Sequence, residues 1–335
     1  GLQGLATAYV LMSRGEDVLI LERESDVASS ASFANAGMLT PSQSMPWNSP
    51  SDLLQILAGF GKKDSPMSLS PSALPSLFFW GLKFLFNSTP SRFDSITRNL
   101  YELGLYSKEK TQNLRKESNL SYDESEMGTI KIYRNQRNFE KAIYLQERIF
   151  KGSKSTELLN KDQLIEKEPQ LKEIQDQLAG GMYFPQDEVG DAYKFCKSLE
   201  DLIRNNGGRV LTNTKINKIL TDKGRVNCVV TDRAILQTNR VVVCAGSWSR
   251  DLFKRMRINL PVRPVKGYSL TYDTAGLNNT PSYAIVDEGI HTAITPFKNR
   301  VRIAGSAEFV GFENQIHPKR IKYLNTMLAN VYPNL

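Results

Sequence analysis

Gly1-Leu2-Gln3-Gly4-Leu5-Ala6-Thr7-Ala8-Tyr9-Val10-Leu11-Met12-Ser13-Arg14-Gly15-Glu16-Asp17-Val18-Leu19-Ile20-Leu21-Glu22-Arg23 is the stretch whose reading decides the fold. Gly1 and Gly4 have the spacing of the last two glycines of a dinucleotide fingerprint. Glu22 stands about 20 residues on, where such a site keeps its ribose acid. Leu5, Ala8, Tyr9 and Met12 recur at helical spacing, and Gly15 is placed to end that helix. Val18 to Leu21 is a short apolar run of the kind that forms a buried parallel strand.

The spacing has a direct physical meaning. A helix N-terminus carries unpaired N–H groups and a partial positive charge, so it attracts a pyrophosphate. Glycine lets phosphates approach the backbone, because a Cβ there would collide with them. Glu22 suits an unphosphorylated ribose, as in FAD or NAD, and would repel a 2′-phosphate. The strand and first glycine that open such a motif do not precede Gly1, so the chain is expected to be part of a longer protein. An edge without a strand beside Val18 to Leu21 is then also expected.

At 335 residues the chain can bury a sizeable core and is expected to hold two domains. A net charge of +8 raises nucleic-acid binding as an option. The basic residues are scattered (Arg98, Lys108, Lys151, Lys197, Arg255, Lys319), so no nucleic-acid stripe is expected. Cys196, Cys228 and Cys244 are far apart in apolar patterns, as buried free thiols are in a reducing compartment. No Cys-x-x-Cys occurs, and only His291 and His317 accompany the cysteines, so neither disulfides nor a metal is expected. No apolar run reaches the ~20 residues that span a bilayer.

Further along, Ser29 to Met38 is a small, polar, glycine-bearing loop. Residues 41 to 97 are rich in Pro and Ser and contain an apolar insert, Leu74 to Phe86. A helix packed on a second domain is the expectation for that insert, with an aromatic face on a membrane surface as the alternative. Helices are expected from Asn99 to Arg115 (Leu100, Leu103, Tyr106) and over Phe139 to Phe150, and strands at Thr129 to Tyr133 and Gly180 to Pro185. Asp191 is placed to cap a helix carrying Ala192, Phe195, Leu199, Leu202 and Ile203 on one face, which Gly207-Gly208 stops before a strand at Arg209 to Thr212. This is the second half of a doubly wound pattern. Ile216 to Leu220, Val226 to Thr231 and Ile235 to Thr238 read as a β-meander turning at Asp222-Lys223-Gly224.

Arg240-Val241-Val242-Val243-Cys244-Ala245-Gly246 reads as a buried strand ending in small residues, where ligands sit in open α/β sheets. Gly1/Gly4 and Ala245/Gly246 are therefore expected to face one dinucleotide. Strands at Pro264 to Leu270, Ala293 to Phe297 and Val301 to Gly305 and a helix at Pro318 to Val331 complete the pattern.

The order Gly-x-x-Gly…Leu-Glu-Arg, Ser-x-x-Asn-Ala-Gly-Met, Cys-Ala-Gly-Ser-Trp-Ser, Pro-Val-Lys-Gly-Tyr-Ser-Leu and Ile-Ala-Gly-Ser-Ala-Glu-Phe-Val-Gly-Phe resembles FAD-dependent amine oxidoreductases. Within them it is most similar to the D-amino acid dehydrogenase small-subunit group, on Asn35-Ala36-Gly37 and Lys266 to Leu270. Glycine and sarcosine oxidases are similar at greater distance. The resemblance covers essentially the whole chain. It implies an α/β fold: a Rossmann-like, doubly wound FAD domain assembled from residues 1–45 and 186–255, and an α+β substrate domain with a mixed sheet from 46–185 and 256–335.

By motif, the resemblance places Gly1 and Gly4 at the pyrophosphate, and Glu22, with the adjoining Arg23, at the adenosine ribose. Ser30, Ala36, Gly37 and Met38 lie along the phosphates and flavin, the Ile216 backbone meets adenine, and Ala245 and Gly246 close the adenosine end. The implied reaction is oxidative deamination of D-amino acids by hydride transfer to flavin N5. Electrons pass to a quinone or carrier, in a cytoplasmic protein touching the inner face of the cell membrane. A substrate carboxylate needs a cation or phenol, for which Lys266, Tyr268 and His291 are candidates. The family's C-terminal Gly-x-Arg-Pro and Pro-Asp-Gly signatures lie outside this sequence, which leaves the activity of this stretch by itself open. D-hydroxyproline dehydrogenase, glycine or sarcosine oxidase, an NAD enzyme and a non-catalytic flavoprotein subunit are the rival readings.

Overall fold

Leu5 and Ala8 are the buried residues of the first helix, α1 (Leu2–Ser13), which forms where the apolar spacing places it. The computed structural model describes residues 1–48, 67–70, 73–150 and 156–335. Part of the Pro- and Ser-rich stretch (49–66 and 71–72) and Lys151 lie outside the described residues.

In chain order, α1 is followed by β1 (Leu19–Leu21), β2 (Met38–Leu39), β3 (Met67–Leu69), α2 (Leu74–Phe86) and α3 (Pro90–Ser118). Then come β4 (Thr129–Tyr133), α4 (Gln136–Ile149), β5 (Glu157–Leu159), α5 (Lys161–Lys167), β6 (Gly180–Phe184) and β7 (Glu188–Val189). α6 (Ala192–Asn205), β8 (Arg209–Leu211), β9 (Ile216–Asp222), β10 (Arg225–Thr231), β11 (Ile235–Gln237) and α7 (Ser249–Arg255) follow. β12 (Lys266–Asp273), β13 (Ala284–Asp287), β14 (Thr292–Phe297), β15 (Arg300–Phe309) and α8 (Pro318–Val331) close the chain.

The residues divide into two compact units. Unit 1 is Gly1–Asn35, Ser118–Tyr122 and Asp191–Arg263; unit 2 is Ala36–Glu117, Asp123–Gly190 and Pro264–Leu335. Residues 36–45 and 186–190, expected with the first domain, thus fall in unit 2, and 118–122 and 256–263, expected with the second, fall in unit 1.

In unit 1 the Asp191 carboxylate accepts the Tyr193 and Lys194 N–H groups at 3.0 and 3.2 Å, capping α6. Phe195, Cys196, Leu199 and Ile203 are buried on one face of α6, each large one worth roughly 1.5–3 kcal/mol. α1 packs against α6, and β8 returns parallel to β1 with Ile20 opposite Val210. Among the described residues β1 pairs on that side alone, and it is half-buried rather than buried. β9, β10 and β11 form the expected antiparallel meander, turning through Lys223 and Gly224 at positive φ.

One expectation in unit 1 fails. Residues 239–245 form no strand, and Val242 is 61% exposed. Three valines favour an extended backbone, but a strand exists only where a neighbour takes up its hydrogen bonds. None among the described residues does.

Unit 2 is built on a mixed sheet in the order β12-β15-β14-β13-β4-β6-β5, with β3 also on β15. β13–β4 and β15–β3 are parallel. Ile130, Ile132, Ile285, Ile294, Val301 and Ile303 join Leu164 of α5 and Leu324, Leu328 and Val331 of α8 in one core. Two helices differ from expectation. α3 buries Phe93, Thr97 and Arg115, while Leu100, Leu103 and Tyr106, read as its packing stripe, are exposed. α2 has no fully buried residue: it meets β15 through Trp80 and Phe309, and its larger apolar side is exposed.

Candidate functional site

The start of α1 is the focus of unit 1. The Leu2 N–H donates to the Ser32 hydroxyl at 3.2 Å. A Cβ at Gly1 would lie 3.1 Å from that same oxygen, and one at Gly4 would lie 3.3 Å from the Cys244 Cβ. Gly4 therefore touches the chain just before Ala245 and Gly246, although some 240 positions separate them in sequence. Gly246 opens a short 3-10 turn, and space around its Cβ position is free.

Glu22 leaves β1 at the same place. One carboxylate oxygen lies 3.8 Å from the Gly1 nitrogen, and the other accepts the Glu24 N–H at 3.1 Å. Its carbonyl accepts the Thr214 N–H at 2.8 Å, which brings Ile216 at the start of β9 into the neighbourhood. Arg23 stacks its guanidinium 4.3 Å above the Trp248 ring, two residues past Gly246. Gly1, Gly4, Glu22, Arg23, Ile216, Ala245 and Gly246 are thus gathered in one unit. Ser30 is exposed, and it is Ser32 that reaches the helix start. Ser32 and Trp248 had escaped the sequence reading; a small hydroxyl in the loop after the ribose acid was the available signal for the first.

In unit 2, Ala36-Gly37-Met38 is held rigidly. The Thr295 hydroxyl donates to the Ala36 carbonyl at 2.7 Å, the Gly190 N–H donates to the Gly37 carbonyl at 2.7 Å, and Met38 pairs with Val189. Gly37 sits at φ 67°, and a Cβ there would strike the Phe297 ring and lie 2.7 Å from the Gly190 carbonyl oxygen. Nearby, Asp187 accepts the Thr129 hydroxyl at 2.6 Å and the Ser42 hydroxyl. Burial pushes its carboxyl above the ordinary range despite these bonds.

The three candidates for the substrate carboxylate lie at one end of the sheet: Tyr268 pairs with Gly305, Gly305 pairs with Thr292, and His291 precedes Thr292. Their surroundings differ. The Tyr268 hydroxyl donates to Glu308 at 3.0 Å, and Glu308 in turn accepts Arg320 Nε at 2.7 Å. Burial and the Glu308 carboxylate raise the Tyr268 pKa. Lys266 donates to the Gln315 carbonyl and lies 3.8 Å from Glu313. His291 occupies an exposed turn at φ 52°.

Unit 1 fits the ADP end of a dinucleotide. Its helix start bears backbone N–H groups and no side chain at Gly1, a carboxylate stands beside them, and the opposing Ala-Gly turn is open. Comparison with known proteins agrees. The family model described as FAD dependent oxidoreductase matches residues 1–335. A D-amino acid dehydrogenase of Bradyrhizobium diazoefficiens is 33% identical over 333 residues, 99% of this chain and 79% of that protein. One of Vibrio vulnificus is 33% identical over 337 residues, covering 100% of this chain and 80% of its own. Glycine oxidase from Geobacillus kaustophilus shares the fold, with a TM-score of 0.76 at 21% identity over 100% of this chain and 76% of that one. L-proline dehydrogenase from P. horikoshii superposes at a TM-score of 0.68 and 14% identity, over 99% and 75% of the two chains. Matched from its first residue to its last, and a third identical to those two dehydrogenases, the chain belongs to the FAD dependent oxidoreductase family.

Proposed function

We propose that the protein oxidises D-amino acids to 2-oxo acids and ammonia and delivers the electrons to a quinone or electron-transfer carrier at the inner face of the cell membrane. The observation that carries this reading is the approach of Gly4 to Cys244, just before Ala245 and Gly246, with Glu22 beside Gly1 at the same helix start. Relatives named D-amino acid dehydrogenase, aligned over nearly all of the chain, support the substrate class.

When bound, FAD supplies the two-electron acceptor, with N5 as the destination of the substrate's Cα hydride. The chain's own residues bind and orient. The N–H groups at the start of α1 hold the pyrophosphate, and glycine at positions 1 and 4 lets it come close. Glu22 accepts hydrogen bonds from the ribose hydroxyls, and Arg23, kept flat on Trp248, stands next to it. The backbone at Ile216 meets adenine, and Ala245 and Gly246 close that end. Ser32, bonded to the Leu2 N–H, stands at the phosphates, and Ala36, Gly37 and Met38 offer a small, backbone-rich surface to the flavin ring. Lys266 is a stronger carboxylate anchor than Tyr268. Its ammonium carries three donors, of which one is given to the Gln315 carbonyl with Glu313 3.8 Å away, whereas the single phenol donor is committed to Glu308. An amine arriving neutral needs no protein base; water then converts the imino acid to the 2-oxo acid and ammonia.

The test is the visible spectrum of the FAD-loaded protein under anaerobic conditions. D-alanine is expected to bleach the flavin band and L-alanine to leave it. Bleaching by glycine or sarcosine alone would move the protein to another amine substrate. Flavin that no amine bleaches would mark a non-catalytic subunit.

A further inference from the structure

We infer that α2 is a docking helix for an anionic bilayer surface. Leu74, Phe78, Phe79, Leu82, Leu85 and Phe86 are all exposed, Phe79 by 75% and Phe86 by 67%. They occupy one contiguous arc: Leu74, Phe78, Leu82 and Leu85 follow one another at i+4, i+4 and i+3, and Phe79 and Phe86 are two turns apart beside them. On the opposite side Trp80 stacks on Phe84 within the helix, 5.0 Å between ring centroids, and reaches Phe309 of β15 at 6.1 Å. Exposed side chains of this size on one arc are what a partner surface covers.

Length and charge select the partner. Thirteen residues make about 20 Å of helix, short of the ~30 Å hydrocarbon core, so α2 lies in the interface plane and does not cross. Among the described residues no helix is long and apolar enough to cross a membrane. From Leu74 to Phe93 the sequence holds two basic residues, Lys83 and Arg92, and no acidic one. Lys83 is exposed at the border of the apolar arc, and the Arg92 guanidinium sits 3.9 Å above the Phe86 ring. Cations placed at the rim of an apolar face meet lipid phosphates as the rings enter the acyl boundary. A chain of net charge +8 adds attraction to an anionic leaflet. The inference builds on the membrane-side acceptor proposed above and gives it a physical contact.

Flotation of the full chain with vesicles tests it and needs no flavin chemistry, so this inference and the catalytic reading can fail separately. The chain is expected to float with vesicles of phosphatidylethanolamine and phosphatidylglycerol, and to bind pure phosphatidylcholine at least tenfold more weakly. A Phe78→Ser/Phe79→Ser/Phe86→Ser variant, checked for an unchanged thermal melt, is expected to lose at least tenfold of the bound fraction. Separately, a Trp introduced as Phe79→Trp should be quenched by brominated acyl chains, and one introduced as Tyr144→Trp on α4 should not. Equal flotation of the triple variant, absence of binding to anionic vesicles, or a dimer in solution that the triple variant dissolves would each overturn the proposal.

Discussion

Gly37→Ala isolates the tightest backbone approach in unit 2. The glycine sits at φ 67°, a region that costs an L-residue about 1–2 kcal/mol. Its Cβ would also strike the Phe297 ring and lie 2.7 Å from the Gly190 carbonyl oxygen. Neither neighbour can yield freely: Phe297 is 1% exposed, and the Gly190 N–H is bonded to the Gly37 carbonyl at 2.7 Å. Crowding of this kind typically costs about 1–3 kcal/mol, so the substitution should destabilise unit 2 by about 2–5 kcal/mol in all. Gly276→Ala is the control, because Gly276 has φ 82° and nothing within 4 Å of its Cβ position. It pays the conformational cost alone, about 1–2 kcal/mol. Urea unfolding followed by circular dichroism measures both. Adding Phe297→Leu to Gly37→Ala should recover part of the crowding, appearing as non-additivity of about 1 kcal/mol. If Gly37→Ala costs no more than Gly276→Ala, or the double variant is strictly additive, the packing argument for this loop is wrong.

Three further outcomes are expected. Glu22→Ala should weaken FAD binding about tenfold or more, since a hydrogen bond to a charged group is worth roughly 1.5–3 kcal/mol, and release of fluorescent FAD on dilution reads it. Asp191→Ala removes the acceptor for two N–H groups of α6 and should cost about 1–2 kcal/mol in urea unfolding, largely restored by Asp191→Asn. Burial holds the Glu168 carboxyl above its ordinary 4.5, although one oxygen accepts the Ser282 and Tyr283 N–H groups at 2.8 and 2.9 Å. The folded state therefore binds that proton more tightly than the unfolded one, so its contribution is complete below pH 4.5 and fades as pH rises through the folded-state value. Glu168→Gln keeps an accepting oxygen and should gain stability relative to the natural chain as pH rises across that window, in melts taken from pH 4 to 8.

Much of the fold could be read because local chemistry and tertiary demand coincide there. Asp191 caps α6 because its carboxylate reaches two N–H groups that the helix cannot satisfy. Asp222-Lys223-Gly224 turns the meander because Gly224 accepts positive φ at no cost and Lys223 is the single residue strained. The approach of Gly4 to Cys244, next to Ala245 and Gly246, could be anticipated from the small side chains at both ends, even across some 240 positions. Position within the site was harder: the loop after Arg23 held several serines, and spacing could not say that Ser32, and not Ser30, reaches α1.

What could not be read has a common physical cause. Periodicity reports that a helix has an apolar side; it carries no information about what covers that side. In α3 the stripe Leu100, Leu103 and Tyr106 is as regular as any core face, yet the buried side is the one bearing Phe93, Thr97 and Arg115, because Arg115 brings its own partner, the buried Glu188 at 2.8 Å. The same blindness applies to Val241 to Val243, where branched side chains specify an extended backbone and leave its hydrogen-bond partner unspecified. α2 is the sharper case. Its apolar residues recur as a core helix's do, yet Leu77, Trp80 and Phe84 are only half-buried, Trp80 reaching Phe309, while the larger arc stays exposed. A packed helix needs its apolar arc matched to a protein surface of the same width; α2 carries an arc wider than unit 2 covers, and that excess is what a bilayer would take up.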